Sequence, residues 1–446
     1  MGGWHGLLFV YTFYTVIFLV EAKSLTRYRC FMLKCKHDID NSELCIRKDG
    51  TYMVSDKMYE LGSKKSTIRT IFEYGRKRAA EVGEDHICDF SLGNPNVPTP
   101  DFIKDAAIDI LTNMPPQAVH SYTVAPGDAG AREALAKSIN KRFGMSFSGK
   151  NIFITSGAAA AITICFKALA EPNDEFLVNA PFFPEYTAFV ESVGAKLTVV
   201  PANPADWQID FNAFEKSVNP HTKGVIVNSP NNPSGAVYSE DTIRHMASIL
   251  AEKEKEYGHP IFIISDEPYR ELVYDGREVP YIPKYYEHTL VCYSYSKCFS
   301  LPGERIGYIA VPDTVPKFDV VFGAIAGAAR VLTHVNAPSL WQRVVARCAD
   351  KPADIAPYEK NGKLLYDGLK EAGFECVRPQ GAFYLFPKCM EDDDYAFCER
   401  AKKYDLLLVP GTDFGCSGYF RVSYCIATET IERSLPLFKK LAAEYK

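Results

Sequence analysis

Lys297 stands in VCYSYSKCFSLPGERIGY, Val291 to Tyr308, just after an apolar run, with Ser294 and Ser296 before it and Arg305 eight residues on. A lysine so placed is either a phosphate contact or an amine made nucleophilic by a lowered pKa. The two serines and the arginine can hold a phosphate themselves, which frees the amine for covalent work. Asp266 closes a second apolar run, IFIISDEPYR from Ile261 to Arg270. An acid at the mouth of a buried strand is costly unless a cation or a donor faces it, and a plain salt bridge is the bland alternative. Arg421 interrupts a third run, GYFRVSY. It either lies on a solvated face or offers its planar fork to a carboxylate.

Two more segments end strands in polar groups. In ITSGAAAAI, Ile154 to Ile162, Ser156-Gly157 opens a helix whose first residues are too small to block its amide hydrogens. That makes an anion seat, although a capped helix packed tightly on a sheet reads the same way. In NSPNNPSG, Asn228 to Gly235, prolines force a rigid turn but do not explain the adjacent asparagine amides. An anion seat, a reactive amine, a strand-end carboxylate and a carboxylate-binding arginine together form the kit that pyridoxal phosphate needs.

The elements that must position these groups alternate. NIFITS, EFLVN, KLTVV, GVIVNS, IFIISD and TLVCYS read as strands, with helices at about 158–170, after Pro184, and at about 239–256. Such alternation predicts an α/β fold: a large three-layer domain with a mostly parallel central sheet. Ligands of such sheets bind beyond the carboxyl ends of the strands. After residue 312 the pattern changes to helices at about 315–330, 338–371 (broken near Lys351-Pro352), 393–403 and 427–444. FECVRP, GAFYLFP and YFRVSY read as strands among them, which predicts a smaller α+β domain. The expected division is a leader over 1–52, an N-terminal segment of the small domain and substrate side over 53–100, a large cofactor-binding domain over 101–325 and a C-terminal small domain over 326–446.

Composition narrows the classes. A formal charge of −5 gives no polybasic surface for nucleic acid, and 13% aromatic residues exclude a disordered chain. Thirteen scattered cysteines with no CxxC pair predict neither a disulfide framework nor a metal site, and favour a reducing, cytoplasmic setting. Gly6 to Val20 is fifteen uncharged residues, short of the roughly 20 of a spanning helix. A short anchor or signal and a divergent extension are two readings of this front. The favoured one is a start assigned too early, with the folded protein beginning near Met53 and no membrane contact unless residues 6–20 are retained.

From about residue 60 to the end, the chain resembles the fold-type-I pyridoxal-phosphate-dependent aminotransferases, class I/II, in the aspartate/tyrosine/aromatic branch. The resemblance implies that Lys297 is the lysine that forms the Schiff base, that Asp266 pairs with the pyridinium nitrogen, and that Tyr269 and Asn232 reach the phenolic oxygen. It implies that Ser294, Ser296 and Arg305, with the backbone of Gly157, Ala158 and Ala159, hold the phosphate, and that Phe183 stacks on the ring. Tyr122 matches a tyrosine that reaches the phosphate of a neighbouring subunit, implying a homodimer. Gly93 matches the substrate-side glycine, and Arg421 the clamp on the substrate α-carboxylate. The implied activity moves the amino group of an L-amino acid, of the aspartate/glutamate type, to a 2-oxo acid by a ping-pong mechanism. Aromatic or neutral donors and β-eliminating C–S lysis on the same fold are the alternatives. A cofactor-sensing transcription regulator would need a DNA-binding module that the leader lacks.

Overall fold

The computed structural model describes residues 54–63 and 66–445. The readings of Gly6 to Val20 and of Met53 fall outside them. Thr67–Lys446 makes one compact unit, and the helix Asp56–Ser63 belongs to a separate one. Among the described residues no helix is long and apolar enough to cross a membrane.

Among the described residues twelve strands run in chain order: β1 (Cys88–Asp89), β2 (Ile152–Thr155), β3 (Glu175–Asn179), β4 (Lys196–Val200), β5 (Thr222–Asn228), β6 (Phe262–Asp266), β7 (Thr289–Ser294), β8 (Gly307–Ala310), β9 (Tyr384–Leu385), β10 (Leu406–Leu407), β11 (Val409–Pro410) and β12 (Phe420–Ser423). Seven form the main sheet in the order β2-β8-β7-β6-β5-β3-β4. The pairs β4/β3, β3/β5, β5/β6 and β6/β7 are parallel, and the strand β8 joins β7 and β2 antiparallel. The expected α/β architecture with a mostly parallel sheet is therefore present.

The central strands are buried on both faces, which is why they read as continuous apolar runs rather than alternating ones. Ile226 of β5, Ile264 of β6 and Leu290 of β7 pack on one face with Ile162 and Phe166 of the helix Ala158–Leu169. Val225, Val227 and Ile263 point the other way, against Ile243, Met246 and Leu250 of the helix Glu240–Tyr257. Ser239 caps that helix through its hydroxyl, which accepts from Thr242 N, and Gly258 ends it at φ 76°.

The later helices fall at Phe318–Val331, Ser339–Cys348, Ala356–Ala372, Asp394–Ala401 and Thr428–Ala443, with the expected break around Lys351-Pro352. A three-stranded antiparallel sheet, β11-β12-β9, stands beside a parallel β1/β10 pair. Two strand assignments need correction. FECVRP is not a strand: Phe374 N donates to Leu369 O at the end of the preceding helix, and Pro379 has no N–H to give a ladder. GAFYLFP contracts to the two residues of β9.

Candidate active site

β5, β6 and β7 lie side by side in parallel, so their carboxyl ends bring Asn228, Asp266 and Ser294 to one edge of the sheet. A cavity of about 300 Å³ opens there. Its lining includes Gly93, Ala158, Ala159, Phe183, Asn232, Asp266, Tyr269, Ser294, Ser296, Lys297, Arg305 and Arg421, twelve of the fourteen residues singled out from the sequence. Gly157 is not one of the lining residues. Tyr122 stands apart, 92% exposed on the surface of this single chain.

Asp266 sits in register with Asn228 of the neighbouring strand. Asn228 Nδ2 donates to the Asp266 backbone carbonyl at 3.0 Å and to its Oδ2 at 3.3 Å, and Tyr186 donates its hydroxyl to the same Oδ2 at 2.5 Å. Oδ1 is buried with no partner. Burial pushes the carboxyl up from its ordinary 3.8 to about 7, against the pull of the Tyr186 hydrogen bond and with a further push from Glu267. Glu267 is itself held by buried Arg270 and by Ser265, whose hydroxyl donates at 2.7 Å. The bland reading of Asp266 as a salt-bridged acid therefore fails, because Arg270 pairs with Glu267 instead.

Lys297 follows β7 and donates from Nζ to Gly93 O at 2.6 Å. Burial lowers its amine from 10.5 to about 8, with the cations Arg421 and Arg305 adding to the shift against an opposing contribution from Cys425. A neutral amine is thus accessible near neutrality, the condition for a nucleophile or base.

The residues read as an anion seat lie at the start of the helix that follows β2. Gly157 precedes the helix Ala158–Leu169 at φ 86°, and no side chain caps that helix. Its positive φ calls for glycine, and a side-chain carbon there would fall 3.0 Å from Arg305 Nη2. Ser294 and Ser296 bond to each other at 2.7 Å and line the same cavity as Ala158, Ala159 and Arg305. Free helix amides, two hydroxyls and a guanidinium converge as an anion requires.

NSPNNPSG divides its asparagines by role. Asn231 builds the turn, accepting from Ser234 N at 3.0 Å and Ser234 Oγ at 2.8 Å, while Asn228 Oδ1 accepts from Asn232 N at 2.8 Å. That leaves the Asn232 side chain to face Arg421, whose Nη1 donates to Asn232 Oδ1 at 3.0 Å. Arg421 is only 2% exposed, which settles its two readings against the solvated face. Its Nη2 donates to Ser91 O, its guanidinium lies 4.8 Å from the rings of Tyr384 and Phe414, and its Nε is buried without a partner.

Tyr186, Asn228 and Tyr384 are site residues that sequence reasoning left without a role. Asn228 carried a signal, since it ends GVIVN beside the strand that ends in Asp266. Tyr186, three residues after Phe183, and Tyr384, inside GAFYLFP, look like ordinary aromatic core in one dimension.

The profile of the family "Aminotransferase class I and II" matches residues 85–435. The aspartate/prephenate aminotransferase of Thermus thermophilus is 30% identical over 356 residues, covering 79% of this chain and 90% of its own. The aromatic-amino-acid aminotransferase 2 of Thermococcus litoralis is 29% identical, covering 85% of this chain and 96% of its own. Among solved structures, an amino transferase from Eubacterium rectale shares 50% identity with a TM-score of 0.88, covering 89% of this chain and all of its own. The Thermus thermophilus aspartate aminotransferase with maleate shares 27% with a TM-score of 0.74, covering 88% of this chain and all of its own.

Fold and site therefore define a transaminase, an enzyme that moves amino groups. The chain belongs to the class I and II aminotransferase family.

Proposed function

We propose that the protein is a pyridoxal-phosphate-dependent aminotransferase that moves the amino group of an L-amino acid, with aspartate or glutamate as preferred donor, to a 2-oxo acid in a ping-pong cycle. The observation that carries this reading is the bare, buried Oδ1 of Asp266 in the same cavity as the Lys297 amine and the anion seat. A ring N–H satisfies that oxygen and favours its ionised form, a phosphate suits the seat, and an aldehyde suits the amine. The residues present fit the cofactor.

Ser294, Ser296, Arg305 and the backbone at Gly157, Ala158 and Ala159 would hold the phosphate. Phe183 would lie against the ring, and Tyr269 and Asn232 would hold its phenolic oxygen. When bound, the cofactor supplies an aldehyde that accepts the amino group and a pyridinium ring that takes up the electron pair of the broken Cα–H bond. Asp266 keeps the proton on the ring nitrogen. Arg421 binds the substrate α-carboxylate and so fixes which bond of Cα faces the lysine. Lys297 Nζ, as a neutral amine, would take the proton from Cα and return it across the substrate nitrogen to the cofactor's aldehyde-derived carbon. Because the amino group stays with the enzyme between two keto acids, each substrate meets the same residues in turn.

The proposal includes a cytoplasmic homodimer in which Tyr122, exposed in one chain, reaches the partner's phosphate seat. Donor preference draws on the relatives, one an aspartate/prephenate enzyme and one an aromatic-amino-acid enzyme. One observation favours aromatic or neutral donors as a second reading. The cations lining the cavity are Lys297, Arg305 and Arg421, each already engaged, while Ile68 and Phe189 add apolar wall.

The test uses the full chain with pyridoxal phosphate. A near-visible absorbance band of the lysine-bound cofactor is expected, bleached by aspartate or glutamate with release of the matching 2-oxo acid. No band at all would remove the reading. Bleaching by phenylalanine or tyrosine alone would replace the preferred donor with the second one, and pyruvate release from cystathionine would turn the reaction into C–S lysis.

A further inference from the structure

Three parts of the site meet on a residue to which no motif gave a role. Tyr384 is buried on β9, paired with Ser423 of β12, which places it diagonal to Arg421 two residues earlier on the same strand. Its ring lies 4.8 Å from the Arg421 guanidinium. Its hydroxyl is 2.9 Å from the hydroxyl of Tyr269. The same hydroxyl covers Gly93 so closely that a side-chain carbon there would fall 1.9 Å from it. Gly93 in turn offers the carbonyl that accepts from Lys297 Nζ.

We propose that Tyr384 is a positioning residue for the transamination, and that its hydroxyl and its ring do separable work. The inference rests on the cofactor reading above. The hydroxyl orients Tyr269. A phenol has one proton to donate, and with an anionic oxygen in the cavity the order Tyr384 to Tyr269 to that oxygen is the one that uses both protons. The same hydroxyl packs over Gly93 and so sets where the carbonyl facing Lys297 stands. The ring, with Phe414 also at 4.8 Å, holds the plane of Arg421 for a bidentate carboxylate. One side chain thus links the cofactor's phenolic side to the substrate's carboxylate side.

Two substitutions separate these roles in the cofactor-loaded full chain. Tyr384→Phe keeps the ring and removes the hydroxyl. Losing one donor to the phenolic side should raise the pH midpoint of the lysine-bound absorbance band by about half a unit or more. Its KM for the amino donor should stay within about twofold, because the ring facing Arg421 remains. Tyr384→Leu should show the same spectral shift and also raise KM by roughly tenfold. An unshifted midpoint in Tyr384→Phe, in a protein that binds cofactor normally, would overturn the inference. So would an equal rise of KM in both variants. Absence of the band in the unsubstituted protein would instead bring down the cofactor reading itself.

Discussion

The two ends of the cavity each bury a charged group, Asp266 and Arg421, but they are assembled in opposite ways. Asp266 takes its support from the sheet and a helix next to it: Asn228, 38 residues away, is its in-register neighbour, and Tyr186 stands on the helix Glu185–Ser192 that follows β3, the strand beside β5. Arg421 takes its support from pieces far apart in the chain, with Asn232 at 189 residues and Ser91 at 330. The aspartate is held by backbone register, which cannot shift without flipping whole strands. The arginine depends on loops and short strands remaining docked. Their electrostatics differ as well. Burial leaves Asp266 ready to titrate near neutrality, whereas burial lowers Arg421 from a value so high that it stays charged. One end is a tunable proton holder and the other a permanent cation.

Substitutions can sharpen or break this contrast. The largest expected effect belongs to Lys297, the proposed base. Lys297→Ala should lower turnover by about 10⁴-fold or more while cofactor still binds through its phosphate. Substantial transamination in that variant would refute the assigned base. Asp266→Asn should come next, slowing the amino-donor half-reaction by about 10²- to 10³-fold, with phosphate retention little changed. A near-normal single-turnover rate would show that the sheet-built end does not act on the ring.

Arg421→Lys should act at the other end and chiefly on binding. It loses the planar fork, so KM for the donor should rise by about 10- to 100-fold with a smaller change in kcat. An equal fall in kcat would mean that the two ends are not separable. Tyr186→Phe should have the smallest effect, and its sign follows from the hydrogen bond it removes. Tyr186 stabilises ionised Asp266 against burial, so its loss raises the carboxyl further. The acidic limb of the half-reaction's pH profile should then move to higher pH, leaving the alkaline rate nearly unchanged. A limb that stays in place would show that this hydroxyl is packing alone.

The sequence by itself determined the groups that follow strands. Apolar runs that stop at Asp266, at Asn228 or just before Lys297 are local signals, because a buried strand must end where its chain turns polar. The same holds for Gly157 ahead of its alanine-rich helix and for the alternation that predicts the sheet. Only the tertiary structure decided the rest. It buried Arg421, which a strand pattern could equally have exposed, and it separated Asn231, which builds a turn, from Asn232, which faces the cavity. It also denied FECVRP a ladder partner and brought Tyr186 and Tyr384 to the site from among many similar aromatics. The physical reason is the range of the forces involved. Strand ends are written in neighbouring residues, whereas the partners of a buried charge are chosen by packing across hundreds of residues, where aromatic identity alone carries no address.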